Sequence, residues 1–162
     1  MKAASIKEIK SALEELPPHE LLPLTLRLAK FKKECKELLT YLIFEANDER
    51  AYILSIKEAV DEQFNDINHS SLYFVKKSLR KILRLINRYS KYSDETQTSI
   101  DLLIYFCKKI KDAGIPVNKS AALVNLYEGQ IKKIKKEINT LHEDLQYDYL
   151  KELETLQLST YI

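Results

Sequence analysis

The sequence predicts an all-α protein, and three observations carry that prediction. Its 162 residues include only 2 glycines and 4 prolines, too few for the tight turns of a β-sandwich or barrel. Apolar residues recur at intervals of three and four along most of the chain, which is the period of an amphipathic helix. Hydrophobic residues make up 45% of the total, which excludes a disordered chain. At this length we expect a single domain over residues 1–162.

The first third of the chain predicts three helices. Apolar spacing predicts a short helix over about residues 5–16, which Pro17-Pro18 ends because the residue before a proline avoids the helical region. A second helix then runs to about Lys30 and contains Pro23 within its first turns, where a kink is not obligatory. A third helix, about residues 32–46, is apolar nearly all round, and we expect it to be buried between layers.

The middle of the chain predicts three more helices, each opened by polar residues that suit an N-cap. Their ranges are about 49–68, 71–91 and 94–114. Asn47 or Asp48 is a suitable cap for the first of them. Gly114 is the expected stop of the last, since glycine tolerates the left-handed conformation of a helix end, and Pro116 follows it.

The last part of the chain predicts one long helix. From residue 118 to residue 158 there is no proline and one glycine, and the alternative is a break between about Thr140 and Tyr147. An apolar stripe extends over three heptads from residue 124 to residue 145. Two interpretations stay open: the stripe packs inside its own domain, or the helix from about residue 119 forms a coiled-coil homodimer. Gly129, inside this helix, indicates a bend or a close helix approach.

Short connections place successive helices side by side and antiparallel. The predicted hairpins cover residues 19–46, 48–91 and 94–140. In this hairpin architecture alone, the chain resembles the short α-α superhelix of HEAT- and armadillo-like proteins, in which antiparallel helical hairpins are stacked. A compact helix bundle is the competing architecture.

The formal net charge of +2 hides a strong polarity along the sequence. Residues 1–70 carry 10 basic and 13 acidic side chains, whereas residues 71–140 carry 15 basic and only 6 acidic ones. Residues 141–162 carry 1 basic and 5 acidic side chains. The positive charge is therefore concentrated in the middle-to-late part of the chain, which is where a partner of negative charge is to be sought.

The clearest functional feature is a row of cations on the helix over about residues 71–91. On a helical wheel they all fall within roughly 60° of Lys77, on the side opposite the apolar stripe. Along the helix axis they extend over about 21 Å. We call this row the basic stripe; it consists of Lys77, Arg80, Lys81, Arg84, Arg88 and Lys91. Three lysines of the last long helix extend it if the two helices are neighbours: Lys132, Lys133 and Lys136.

Such a surface suits the phosphates of a nucleic acid or another polyanion, because each neutralised phosphate releases counterions. Tyr89 and Tyr92 lie near the end of the basic stripe, where tyrosines can stack on bases. Two alternatives compete with this interpretation. Tyr89 continues the apolar stripe and belongs to the core, and acids of the preceding helix screen the cations at a shared edge.

A second nucleic-acid signal is a helix-turn-helix outline around residues 112–120, where a glycine turn separates two helices. The second helix would present Lys119, Asn125 and Gln130 to the major groove. Any helical hairpin with a glycine stop has the same outline, so a plain hairpin is the competing interpretation.

The sequence lacks the parts of familiar catalytic and metal sites. There is no Gly-x-Ser-x-Gly elbow and no phosphate-binding loop. A calcium-loop opening at residue 66 fails, because Ser71 and Lys77 stand where the loop needs glycine and glutamate. Cys35 and Cys107 lie in apolar helical patterns and are interpreted as core thiols of a reducing compartment. We expect no enzyme activity, no cofactor and no metal.

The function that these features favour is a non-enzymatic helical module that binds protein partners, with nucleic-acid or polyanion binding through the basic stripe as the alternative. The first ten residues contain no apolar run, so we expect no signal peptide. No stretch of 18 apolar residues is free of charge, so we expect no contact with the membrane interior. The expected location is the cytoplasm.

Overall fold

The computed structural model describes residues 1–158, and over those residues the chain is helical and contains no β-strand. The prediction of an all-α protein is therefore confirmed. The α-helices are α1 (Ile6–Glu15), α2 (Pro18–Phe31), α3 (Lys33–Thr40), α4 (Glu49–Asn65), α5 (Leu72–Ser93), α6 (Thr96–Asp112), α7 (Ala121–Ile138) and α8 (Glu143–Glu154). A π-helical turn follows α3 at Tyr41–Glu45, and a 3-10 turn precedes α7 at Val117–Lys119.

The chain divides into two compact units, Met1–Glu45 and Ala46–Ile162. The first unit contains α1, α2, α3 and the π-helical turn, and the second contains α4 to α8. The expectation of one domain over residues 1–162 stays a prediction, because a division by contacts does not decide whether the two units fold separately.

The start of α1 is fixed by a capping box. The backbone N–H of Glu8 donates to Ser5 Oγ at 3.3 Å, and the backbone N–H of Ser5 donates to Glu8 Oε2 at 2.7 Å. These hydrogen bonds lower the pKa of the Glu8 carboxyl. Pro18 is the first residue of α2, and Pro23 is accommodated without ending that helix. The predicted boundaries of both helices are confirmed within one residue.

The prediction that the third helix is buried between layers is wrong. After α3 the helix widens into the π-helical turn, where Tyr41 is buried but Leu42, Ile43 and Phe44 are exposed, the last by 74%. The reason is the number of neighbours: within the first unit α3 packs on α2, and a single neighbour covers only one side of a helix. An all-round apolar pattern therefore leaves apolar side chains at the surface.

The buried central helix is α6 instead. It packs against α4, α5 and α7, so three neighbours cover it. Its apolar residues point to all sides, as the pattern of a fully buried helix requires. Those with no exposed surface are Ile100, Leu102, Leu103, Phe106, Cys107 and Ile110. Successive helices of the second unit pack as neighbours, which agrees with the predicted arrangement of hairpins.

A hydrogen-bond network ties the start of α4 to the corner between α5 and α6. One carboxylate oxygen of Glu49 accepts from both Ser93 Oγ and Thr98 Oγ1, each at 2.5 Å. Thr98 is fully buried, and its hydroxyl also lies 3.2 Å from Ser93 Oγ. Glu49 is therefore a partly buried acceptor that links three helices.

The predicted long helix is broken, as the alternative interpretation had it, and α7 ends at Ile138 four residues before α8. α8 folds back on α7, where Tyr127 donates a hydrogen bond to the backbone oxygen of Leu156 at 2.6 Å. A second bond joins α8 to α6, from the Tyr149 hydroxyl to Asp101 Oδ1 at 2.8 Å. Burial raises the pKa values of Tyr127, Tyr149 and Asp101.

The apolar stripe of α7 packs inside its own unit. Tyr127, Ile131, Ile134 and Ile138 are buried. A coiled-coil homodimer through the helix from about residue 119 needs this stripe at the surface, and the described residues leave no such seam there. Gly129 does not mark a close helix approach either, since a Cβ built on it meets nothing within 4 Å.

Substitution of the two glycines by alanine is predicted to change the free energy of unfolding in opposite directions. Gly114 has a φ of 62°, so Gly114→Ala places an L-residue in the left-handed region and lowers the free energy of unfolding by about 1 kcal/mol. Gly129 lies inside α7 with open space around it, so Gly129→Ala raises the free energy of unfolding by roughly 0.5–1 kcal/mol. Urea unfolding followed by circular dichroism measures both. Equal effects of the two substitutions would contradict the assignment of Gly114 as the helix stop.

Candidate functional site

The basic stripe lies on the outer side of α5, as its spacing predicts. Ser71 caps the helix, because the backbone N–H of Phe74 donates to Ser71 Oγ at 3.4 Å. The apolar side of the helix packs inward, so the stripe on the opposite side faces outward. The buried residues of α5 are Val75, Leu79, Ile82, Leu83, Ile86, Tyr92 and Ser93. The exposed members of the stripe are Lys77, Arg80, Lys81, Arg84 and Lys91, whereas Arg88 is half-buried.

The five exposed cations of the stripe form no ion pair with any residue in the described part of the chain, residues 1–158. The lysines of α6 differ in this respect. Lys109 Nζ lies 2.9 Å from Asp61 Oδ1, and Lys108 pairs with Glu152 of α8. Acids of α4 were expected to screen the cations of α5. Asp61 does not, because its carboxylate pairs with Lys109 of α6.

Tyr105 of α6 also binds the carboxylate of Asp61. Its hydroxyl donates to both oxygens of Asp61, at 2.7 and 2.8 Å. Burial and this carboxylate raise the pKa of Tyr105 to about 12, so the phenol stays a donor at neutral pH. Asp61 therefore binds side chains of α6 and does not neutralise the stripe.

The two tyrosines near the end of the stripe are structural. Tyr92 is buried, and its ring meets Tyr89 edge-on with the centroids 5.8 Å apart. The Arg88 guanidinium lies 5.1 Å from the Tyr89 ring, and the backbone oxygen of Tyr89 accepts from Tyr52 Oη at 2.9 Å. The core interpretation of these rings therefore fits better than base stacking.

Exposed aromatic rings occur at the other end of α5, where the sequence analysis predicted no functional residue. Tyr73 is exposed, Phe74 is exposed beside it, and their centroids are 5.4 Å apart. Lys76 Nζ lies 6.0 Å from the Tyr73 centroid. Because a cation and two rings share this end, any base stacking on α5 would take place here rather than at Tyr89.

Only one of the three predicted lysines of α7 contacts α5. Lys133 Nζ donates to Asn87 Oδ1 at 2.7 Å and lies 3.8 Å from Glu137 Oε1. Lys132 instead lines a cavity of about 1000 Å³ between α7 and α8, and Lys136 is exposed to solvent. The nine predicted cations therefore do not form one surface: Lys133 extends the stripe, and Lys132 belongs to another groove.

A polar recess lies where α5 ends and Lys133 crosses from α7. Its volume is about 470 Å³, and Asn87, Ser90, Lys91, Lys133 and Glu137 are among the residues that line it. Ser90 Oγ and Glu137 Oε2 are buried there without a hydrogen-bond partner in the part of the chain that the structure describes. The sequence did not predict this recess, because its walls join the end of α5 and the start of α6 to α7, which is distant from them in the chain.

The helix-turn-helix outline corresponds to a plain hairpin of α6 and α7. Ile115 and Val117 of the connection are buried, and α7 packs on both α6 and α8. Lys119 and Asn125 are exposed, but Gln130 is half-buried and its Nε2 donates to the backbone oxygen of Leu126 at 3.2 Å. A recognition helix needs one free side for the major groove, and α7 has neighbours on two sides.

The first unit exposes an unusual number of large apolar side chains. Apart from Met1 there are twelve, and no residue of α1, α2 or α3 is buried. We call these twelve the apolar surface. They are Ile6, Ile9 and Leu13 of α1, Leu22, Leu24, Leu26, Leu28 and Phe31 of α2, Leu38 of α3, and Leu42, Ile43 and Phe44 of the π-helical turn.

The two cysteines are free, and only one of them is a core thiol. Cys107 has no exposed surface, and burial raises the pKa of its thiol to about 12. Cys35 is half-buried in α3. Among the described residues, no three His, Cys, Asp or Glu side chains are close enough together to hold a metal ion.

Comparisons with known proteins add no family to these observations. No family model matches the chain, and no curated protein or solved structure is significantly similar to it. None of the described helices combines the length and the apolar character needed to cross a membrane.

The contrast between the cysteines predicts their reactivity. In the native protein at pH 8, a thiol reagent modifies Cys35 and leaves Cys107 intact, because Cys107 is inaccessible and almost entirely protonated. The Cys35→Ser variant is therefore unreactive until denaturant is added. Ellman's reagent with stopped-flow absorbance measures this, and rapid modification of native Cys35→Ser would contradict the burial of Cys107.

Proposed function

We propose that the chain is a non-enzymatic helical module that binds protein partners through the apolar surface of its first unit. The observation that carries the proposal is the exposure of twelve large apolar side chains within 45 residues. Scattered apolar side chains are normal on a protein, but a concentration of them marks a place where another surface docks.

The size of the apolar surface supports this proposal. Full burial of a Leu, Ile or Phe side chain removes on the order of 100 Å² of apolar area, so these partly exposed side chains present roughly 600 Å² to water. A specific interface buries about 800 Å² on each partner, a little over half of it apolar. The first unit therefore exposes about as much apolar area as one side of an interface contains.

The side chains of α2 indicate where a partner would bind. Leu24, Leu28 and Phe31 are spaced by four and three residues, which puts them in one row along the helix. Lys151 of α8 is exposed as well and lies in the second unit, outside the apolar surface. The row and Lys151 thus provide an apolar position and a polar control, both on helices.

Site-specific photo-crosslinking tests the proposal. A photoreactive residue in place of Leu24 should form a defined adduct with a partner protein, whereas the same residue in place of Lys151 should not. Leu28→Glu should reduce the Leu24 adduct about tenfold or more, because it puts a charge into a desolvated contact. It should leave thermal unfolding unchanged, since Leu28 is exposed. Equal adducts from both positions, or an adduct insensitive to Leu28→Glu, would count against the proposal.

A second candidate function is the binding of nucleic acid or another polyanion by the basic stripe. What favours it is that Lys77, Arg80, Lys81, Arg84 and Lys91 are exposed on one side of α5 without ion pairs among the described residues. Such cations can exchange their counterions for phosphates, and Lys133 adds a further charge where α7 meets α5.

The salt dependence of oligonucleotide binding tests this second function. If about five phosphates are neutralised, affinity for a single-stranded oligonucleotide falls roughly a hundredfold between 50 and 200 mM salt. The double reversal Lys81→Glu/Arg84→Glu should abolish binding. Lys2→Glu/Lys119→Glu carries a similar charge change on exposed residues outside the stripe and should retain most of it. Fluorescence anisotropy measures all three, and absence of binding at 50 mM salt would eliminate this function.

Two further proposals concern the architecture and the cellular location of the protein. We propose a short α-α superhelix of the HEAT or armadillo kind, supported by the packing of successive helices from α4 to α8. We propose a cytoplasmic location, supported by two cysteines that are both free.

A further inference from the structure

The helix α1 buries none of its residues, although it has a clear apolar stripe. Ile6 is exposed by 81%, Ile9 by 44% and Leu13 by 36%. A helix of ten residues is marginal in water unless its apolar side is packed, and a capping box alone adds about 1 kcal/mol. The stability of α1 therefore calls for a surface that covers the stripe.

A groove runs along this stripe, between α1 and the start of α2. Its volume is about 490 Å³, and its floor is apolar. The residues that line it are Ile6, Ile9, Lys10, Leu13, Glu14 and Leu21. Lys10 and Glu14 form its charged rim and pair with each other, with Nζ and Oε1 3.7 Å apart. The groove thus combines an apolar floor with one positive and one negative charge on the same edge.

The charges on this edge of the groove are complementary to those on the same edge of a second copy of the chain. Lys10 and Glu14 lie one turn apart on the same flank of the apolar stripe. When two such helices run antiparallel around a twofold axis, the same flanks face each other in opposite order. Lys10 of each chain then meets Glu14 of the other, and Leu13 of both chains lies beside the axis. Ile9 and Leu13 of each chain then lie over α1 of the other chain, and Ile6 faces the start of its α2.

We propose that the protein partner of the apolar surface is a second copy of this chain, whose α1 lies antiparallel in the groove. The inference rests on the proposed function and names its partner. Residues 1–45 carry 8 basic and 7 acidic side chains, so two first units do not repel each other. The stripe of α1 supplies roughly 160 Å² of apolar area, so a dimer of ordinary size also has to bury adjoining parts of the apolar surface.

The composition of α1 distinguishes a second copy from an anionic membrane surface as the occupant. Helices that lie on membranes carry mostly Lys and Arg on their polar side. The polar side of α1 instead alternates charges, with Lys7 and Lys10 against Glu8, Glu14 and Glu15. This mixture offers little attraction to anionic lipid and offers reciprocal ion pairs to a copy of itself.

Sedimentation of the full chain tests the proposal. A dimer is expected, with twice the monomer mass of 18.9 kDa, which dissociates on dilution. Leu13→Glu places two carboxylates beside the twofold axis and should raise the dissociation constant at least about a hundredfold. Circular dichroism confirms that this variant stays helical. A monomeric wild-type chain at 100 micromolar or above would overturn the proposal.

Charge reversal at the rim gives a sharper test that does not disturb the apolar floor. Lys10→Glu and Glu14→Lys, each alone, set like charges against each other in the dimer and should raise its dissociation constant about tenfold at low salt. An equimolar mixture of the two variants should dimerise as strongly as wild type, because each Glu then faces a Lys of the other chain. Repulsion within each helix persists in that mixture, so recovery on mixing reports contacts between chains.

Two controls complete the experiment. Ser11→Glu and Glu15→Lys change charges on the far side of α1 and should leave the dissociation constant within about twofold of wild type. Failure of the mixed rim variants to dimerise would overturn the antiparallel arrangement. Monomeric protein that binds vesicles of phosphatidylserine and phosphatidylcholine would overturn it in favour of the membrane. If a monomeric chain still gave the Leu24 adduct with another protein, this inference would fail and the proposed function would stand.

Discussion

The burial of α6 is the constraint on which the second unit depends. Because α4, α5 and α7 all pack against this one helix, each of them is turned with its apolar side toward it. The opposite side of α5 then has to face solvent, and that side carries the exposed cations Lys77, Arg80, Lys81, Arg84 and Lys91. Asp61 is held by Tyr105 and Lys109 of α6 and does not neutralise the stripe. The packing of the core thus decides which charges stay available for binding.

The two units present different kinds of surface. The second unit has a complete core, and what it offers to other molecules is mainly charge and small polar recesses. The first unit has little core and offers apolar area instead. Apolar contacts provide most of the free energy of association, whereas exposed charges steer encounters and respond to salt. The two units therefore differ in the kind of surface that they expose.

Features that depend on neighbouring residues in the chain were predictable from the sequence. The capping box at Ser5, the stop at Gly114 and the outward side of α5 all follow from spacing within a few turns. Burial was not predictable in the same way. The predicted helix over residues 32–46 and α6 both have apolar residues on all sides, yet only α6 has three neighbours, and the number of neighbours is a property of the fold. For the same reason Lys132 and Lys133, adjacent in sequence, line different grooves.

The network at Glu49 has a consequence for motion. One carboxylate oxygen accepts from both Ser93 and Thr98, so the first turn of α4 and the corner between α5 and α6 share a single acceptor. When the first turn of α4 frays, the hydroxyl of the fully buried Thr98 loses its carboxylate acceptor and is left with Ser93 Oγ at 3.2 Å. Opening of the two segments is therefore coupled, and their backbone amides should exchange with solvent as one cooperative unit rather than as two independent helix ends.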